Sequence, residues 1–204
     1  DRRAVEVYLQ ALYGTPAQED RYLPGLLRGE LAGAVAWTEE HAGSDIRAIE
    51  TTACRENDEW ILLGSKNLVV NGPIMDIVVV LARTGTSMSL FIVDGNAEGL
   101  RAGSPVETMG LRGAPVSPVY LERCHGELLG DVSGGGFESI NHILSMGSIG
   151  IAALGTGIGS RCMELSTAHA RGRKAFGRGI GMFQDVGFRL ADMFTLNDLG
   201  RMMA

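Results

Sequence analysis

Between residues 31 and 132 the hydrophobic positions come in short runs: Trp60-Ile61-Leu62-Leu63, Ile77-Val78-Val79-Val80-Leu81 and Leu90-Phe91-Ile92-Val93. Turn-forming residues such as Asp94-Gly95-Asn96 part them. Short β-branched and aromatic runs bounded by turn formers predict strands of a compact antiparallel barrel or sandwich. Beyond Gly136 the period changes. Phe137, Ile140, Leu144, Ile151, Leu154, Ile158 and Leu165 recur at helical steps and predict one long helix. Gly177, Gly179 and Gly181 break that pattern, and Val186, Leu190, Met193 and Phe194 then line one side of a second helix. Residues 1–30 read as two short helical pieces interrupted at Gly14-Thr15-Pro16.

Charge and proline content divide the chain near residue 132. Residues 1–132 carry 11 basic and 19 acidic side chains, whereas residues 133–204 carry 7 and 5. All six prolines lie at or before Pro118, which frees the second part for helix. Gly134-Gly135-Gly136 reads as the junction. The net charge of −6 disfavours nucleic acid as a partner. Cys54, Cys124 and Cys162 are too far apart for a disulfide framework or a zinc site, which suits a reducing compartment such as the cytoplasm. Between Glu138 and Arg161 the 22 residues include no carboxylate, Lys or Arg. Asn141, His142, four serines and five glycines interrupt that stretch, so it is expected to be a buried helix of a soluble protein rather than a membrane span. A start at Asp1 and a stop at Ala204, within an apolar helical pattern, suit a piece of a longer protein.

Several motifs offer chemistry. Gly155-Thr156-Gly157-Ile158-Gly159-Ser160 approaches a dinucleotide fingerprint, but it lacks the final glycine, a preceding strand and a following acidic residue. Small residues that admit a neighbouring helix explain it better. There is no Gly-x-Ser-x-Gly or His-Glu-x-x-His, and His41, His125, His142 and His169 are scattered. Trp37-Thr38-Glu39-Glu40-His41-Ala42-Gly43-Ser44-Asp45 follows an apolar stretch and offers hydroxyls and backbone N–H groups. Gly43 would let a phosphate-bearing ligand approach closely, while a strand end with an Asx-turn is the plainer alternative. The cluster Arg171, Arg173, Lys174 and Arg178 reads either as a solvated helix end or as a diphosphate site.

In order along the chain, these motifs resemble the acyl-CoA dehydrogenase superfamily of flavoproteins. Thr38 to Asp45 resembles its Thr-Glu-Pro-x-x-Gly-Ser-Asp signature, approached through Arg21-Tyr22-Leu23-Pro24 and Gly29-Glu30. Gly64-Ser65-Lys66 with Asn71-Gly72 resembles Gly-x-Lys-x-Trp-Ile-Thr-Asn-Gly. Met109-Gly110-Leu111-Arg112-Gly113, Leu128-Leu129-Gly130, Arg173-Lys174-Ala175-Phe176-Gly177, Phe183-Gln184 and Leu190-Ala191-Asp192-Met193 complete the series. The resemblance implies an α+β fold: a central antiparallel β-barrel or sandwich flanked by helical segments. Residues 1–30 would end an N-terminal helical domain, 31–132 form the middle β-domain, and 133–204 begin a C-terminal helical bundle.

The resemblance also implies FAD. The Trp37 and Thr38 backbone and hydroxyl would meet the pyrimidine side of the flavin, beside Gly43. Ser44 would face the flavin pyrophosphate and the thioester substrate. Arg173, Phe176 and Gln184 would reach the ADP half of FAD in a neighbouring subunit, making a homodimer or homotetramer. Leu68 and Val70 occupy the positions of the family's flavin-packing tryptophan and of its threonine near N5. Strand alternation puts both on one face, with Asn67 and Asn71 on the other. Ala175 lacks a hydroxyl common after Arg-Lys. A subset of the family carries its catalytic glutamate at the position of Gly147, and Ser145 and Ser148 replace Asp and Arg directed at CoA.

The implied activity is α,β-dehydrogenation of an acyl-CoA or acyl-carrier-protein thioester. The base is expected to lie outside this sequence, and electrons to leave to an acceptor protein or to oxygen. Two other readings stay open: a divergent flavoprotein that oxidises or eliminates in secondary metabolism, and a flavin-free acyl-binding subunit.

Overall fold

The computed structural model describes residues 13–131 and 134–203. The chain forms two compact units, 1–143 and 144–204, and the division falls inside a helix. In the first unit, helix α1 spans Pro16–Arg28. Thr15 accepts the Gln18 N–H and the Gln18 side chain accepts the Thr15 N–H, a reciprocal cap that fixes where the helix starts. Gln18, Tyr22 and Leu26 form its buried face. The buried Gln18 amide donates to the Leu128 carbonyl and the Glu127 carboxylate, which ties the helix to the sheet. The earlier of the two helical pieces expected in residues 1–30 lies almost wholly outside the described residues.

Seven strands follow: β1 (Gly33–Ala36), β2 (Thr52–Glu56), β3 (Glu59–Val70), β4 (Ile77–Thr84), β5 (Ser87–Asp94), β6 (Leu100–Ala102) and β7 (Val116–Leu128). β4 pairs with β2, β2 with β3, β3 with β7, β7 with β5 and β5 with β4, so the sheet closes on itself. Most pairings are antiparallel, as expected, but β2 meets β4 in a single parallel pair and β1 runs parallel to β4 along its length. The two strands are separated by β2 and β3 in sequence, and a connection of that length permits parallel pairing. Inside lie Leu62, Val78, Val80, Phe91, Val93, Val119 and Leu121. Each large apolar side chain so buried contributes about 1.5–3 kcal/mol. Ile77 to Ala82 are buried on both faces, which accounts for the unbroken apolar run in β4.

Helix α2 spans Gly136–Gly172 as one 37-residue helix. Gly136 is needed where it is, since a Cβ there would stand 2.8 Å from the Ser89 backbone. Ile140 and Ile143 are buried. Further along, the expectation of a buried helix is corrected: Ile151, Leu154, Ile158 and Leu165 are all about half exposed or more. α2 is long and apolar enough to cross a membrane by length and composition.

In the second unit α2 faces helix α3 (Gln184–Met203) and a small hairpin of β8 (Lys174–Ala175) and β9 (Arg178–Gly179). Asn197 donates to the Ser160 hydroxyl at 2.9 Å, and a Cβ on Gly159 would collide with the Asn197 side chain. Gly159 therefore admits a helix, in line with the packing explanation of the Gly155–Ser160 run. One partner helix leaves much of the apolar stripe of α2 uncovered.

Candidate functional site

β1 ends at Ala36 and the chain doubles back at once. Glu39 and Ala42 form an isolated antiparallel bridge, with N–H to O distances of 2.9 and 3.3 Å. Thr38 before the bridge is half-buried, and Gly43 and Ser44 after it are exposed. A Cβ added at Gly43 would meet nothing within 4 Å, so the loop tip is open to a ligand. Among the described residues, the Thr38 and Ser44 hydroxyls have no hydrogen-bond partner. Asp45 is used locally: it accepts the Arg47 N–H and caps the short turn Ile46–Ala48. The Asx-type reading thus holds for Asp45, while the two hydroxyls stay available.

The loop is braced from below. Glu39 accepts the N–H groups of Glu50 and Thr51, at 2.5 and 3.0 Å, and the Lys66 ammonium at 2.6 Å. Lys66 is 1% exposed and Glu39 8%. Burial alone would raise the Glu39 carboxyl, but the Lys66 ammonium and these donors hold it below the ordinary carboxylate range. Burial pushes Lys66 down to about 8, with Glu39 opposing the shift. Arg83 completes the brace by donating to the Ile49 and Arg47 carbonyls. None of these braces was singled out as a site residue from the sequence. Lys66 falls on the inward parity of β3 with Leu62, a signal that a buried carboxylate must face it, though not which one.

The β3 end borders the loop, since the Asn67 N–H donates to the Thr38 carbonyl at 2.7 Å. Here a bulge interrupts the alternation after Lys66, while Leu68 and Val70 still share one exposed face, as expected. The pairing with β7 slips between Lys66 and Val69, and Leu68 takes a left-handed φ of 53°. The bulge buries Lys66 and Val69 and exposes Leu68 by 59% and Val70 by 45%. Asn71 ends the strand, its amide donating to the Gly33 carbonyl at 2.9 Å. Met109 and Leu111 are exposed on the β6–β7 connection.

Trp37, Thr38, Gly43, Ser44, Leu68 and Val70 thus all belong to two adjoining segments of the first unit. Arg173, Phe176 and Gln184 belong to the second. Phe176 and Gly177 make the two-residue turn of the β8–β9 hairpin, both with positive φ. Phe176 is 95% exposed, with its ring edge-on to Phe183 at 6.2 Å, next to Gln184 at the start of α3. Arg171, Arg173, Lys174 and Arg178 are exposed around this hairpin. At Gly147 a Cβ would meet nothing within 4 Å.

The donor set fits a flavin. The Thr38 carbonyl is tied to the Asn67 N–H, next to exposed Leu68, and the Thr38 hydroxyl is unused, a combination that suits a flat ring system with a polar edge.

Residues 34–124 match the family described as acyl-CoA dehydrogenase, middle domain, and residues 134–204 match acyl-CoA dehydrogenase, C-terminal domain. A 3-(aryl)acrylate reductase of Clostridium sporogenes is 40% identical over 192 residues, covering 90% of this chain and 51% of the relative. Among solved structures, PigA with FAD and proline superposes with a TM-score of 0.94 at 28% identity, over 99% of this chain and 55% of that one. The prolyl acyl carrier protein oxidase AnaB gives 0.88 at 34% identity, over 93% and 52%. The chain spans about half the length of the relatives it matches.

Proposed function

The chain belongs to the acyl-CoA dehydrogenase family, and from that premise we propose that the protein is an FAD-dependent oxidoreductase acting at the α,β bond of an acyl thioester carried on CoA or on an acyl carrier protein. The observation that carries this reading is that the Asn67 N–H donates to the Thr38 carbonyl, which joins the loop bearing the free Thr38 hydroxyl to the strand end that exposes Leu68 and Val70. Bound FAD would supply the hydride acceptor. The Trp37–Thr38 segment binds its pyrimidine edge, Ser44 faces the pyrophosphate and the thioester, and Leu68 and Val70 cover the ring. Arg173, Phe176 and Gln184 hold the ADP half of FAD bound in a neighbouring subunit of a homodimer or homotetramer. No residue of this sequence is assigned as the base. Electrons pass to a separate acceptor protein or to oxygen, and the protein works in the cytoplasm.

A second reading has a specific observation behind it. Leu68 and Val70 remove the flavin-facing aromatic and hydroxyl, and the likeness to a prolyl acyl carrier protein oxidase offers a carrier-bound substrate of unusual chemistry. One experiment separates the two: an absorption spectrum of the protein reconstituted with FAD, before and after a mixed set of acyl-CoA thioesters. Bleaching of the flavin band supports acyl-CoA dehydrogenation. A stable band shifts the assignment to the second reading, and no band at all refutes flavin use.

Val70→Thr restores a hydroxyl at the surface end of β3. One neutral hydrogen bond is worth about 0.5–1.5 kcal/mol, so flavin reduction by substrate is expected to accelerate roughly two- to tenfold in stopped-flow measurements. An unchanged rate would place Val70 away from the reacting edge.

A further inference from the structure

Lys66 contacts two parts of the loop at once. Its ammonium lies 2.6 Å from Glu39 Oε1 and 3.4 Å from the Trp37 carbonyl oxygen, and its side chain is fully buried. The next carbonyl, that of Thr38, accepts the Asn67 N–H. Two successive carbonyls are therefore held by β3. The Trp37–Thr38 peptide is trans, so its C=O and N–H point in opposite directions. Holding the Trp37 oxygen toward the buried ammonium turns the Thr38 N–H away from it.

We propose that Lys66 is a positioning residue for flavin: it fixes the Trp37–Thr38 peptide plane so that the Thr38 N–H is presented to the polar edge of the ring. This rests on the FAD reading above. Lys66 touches no cofactor and acts through a single peptide. A buried ion pair is seldom more stabilising than apolar side chains of the same volume, so stability alone is a poor reason for it. Fixing a backbone donor toward a ligand gives the buried pair a task that an apolar pair cannot perform.

The test compares wild type, Lys66→Met and the doubly neutral Glu39→Gln/Lys66→Met, each reconstituted with FAD. FAD affinity, the flavin absorption maximum and the urea midpoint are measured for all three. Lys66→Met is expected to bind FAD about tenfold more weakly, the loss of roughly one well-placed hydrogen bond, and to shift the flavin band. The double variant, which removes the unpaired charge but gives up one of the two acceptor oxygens that hold the Glu50 and Thr51 N–H groups, is expected to regain part of the lost urea midpoint yet keep the weaker binding and the shifted band. Recovery of affinity and spectrum together with stability would reduce Lys66 to a structural ion pair and overturn the proposal. Failure of the wild type to bind FAD would overturn the flavin reading itself, and this proposal with it.

Discussion

Glu39→Ala is expected to destabilise the first unit by about 3–5 kcal/mol at neutral pH, the range seen when one member of a buried ion pair is removed. The variant leaves the Lys66 ammonium buried without a counter-charge, and it strips the Glu50 and Thr51 N–H groups of their acceptor. Acid should erase the difference. The Glu39 carboxyl is held below its ordinary value of 4.5 in the folded protein. Its contribution is therefore complete above that value and is lost as pH falls through the lowered folded one. Urea unfolding of wild type and variant, run from pH 7 down to pH 3, should give midpoints that converge toward the acid end. A constant gap across the range would show that the carboxylate's charge is not what stabilises the loop.

Gly64→Ala is expected to cost about 3 kcal/mol by combining overpacking with an unfavourable backbone conformation. Gly64 sits in β3 with a φ of 153°, and a Cβ there would stand 2.5 Å from Thr51 Oγ1 and 2.8 Å from Thr51 Cα. The second contact is with backbone, so no side-chain rotation relieves it. Thr51 must move, and its N–H is one of the donors that hold Glu39. The same substitution should therefore weaken FAD binding as well as lower the urea midpoint. Gly43→Ala is the control, since its Cβ meets no atom within 4 Å; its midpoint should stay near that of wild type. Equal midpoints for wild type and Gly64→Ala would refute the clash argument.

Much of this architecture is written in local chemistry. The apolar runs of β3, β4 and β5 and the long period of α2 are legible because side-chain alternation and helical repeat depend only on neighbours a few residues away. The same holds for the capped start of α1, where Thr15 and Gln18 are three residues apart. The ordered motifs from Thr38 to Gln184 pointed to the family, which the comparisons with known proteins show. The site was legible only as a set of positions.

Long-range geometry set the rest. The parallel pairing of β1 with β4 joins segments more than 40 residues apart, and nothing in either run announces its direction. The bulge at Leu68 shifted the alternation after Lys66 because β3 carries one more residue than β7 there, which only the pairing of the two strands reveals. A buried lysine demands a carboxylate, but Glu39 and Glu40 are equally acidic in the sequence. Only the turn closed by the Glu39–Ala42 bridge brings Glu39 to within 2.6 Å of Lys66, because a salt bridge in a dry interior is chosen by where the backbone places its two ends.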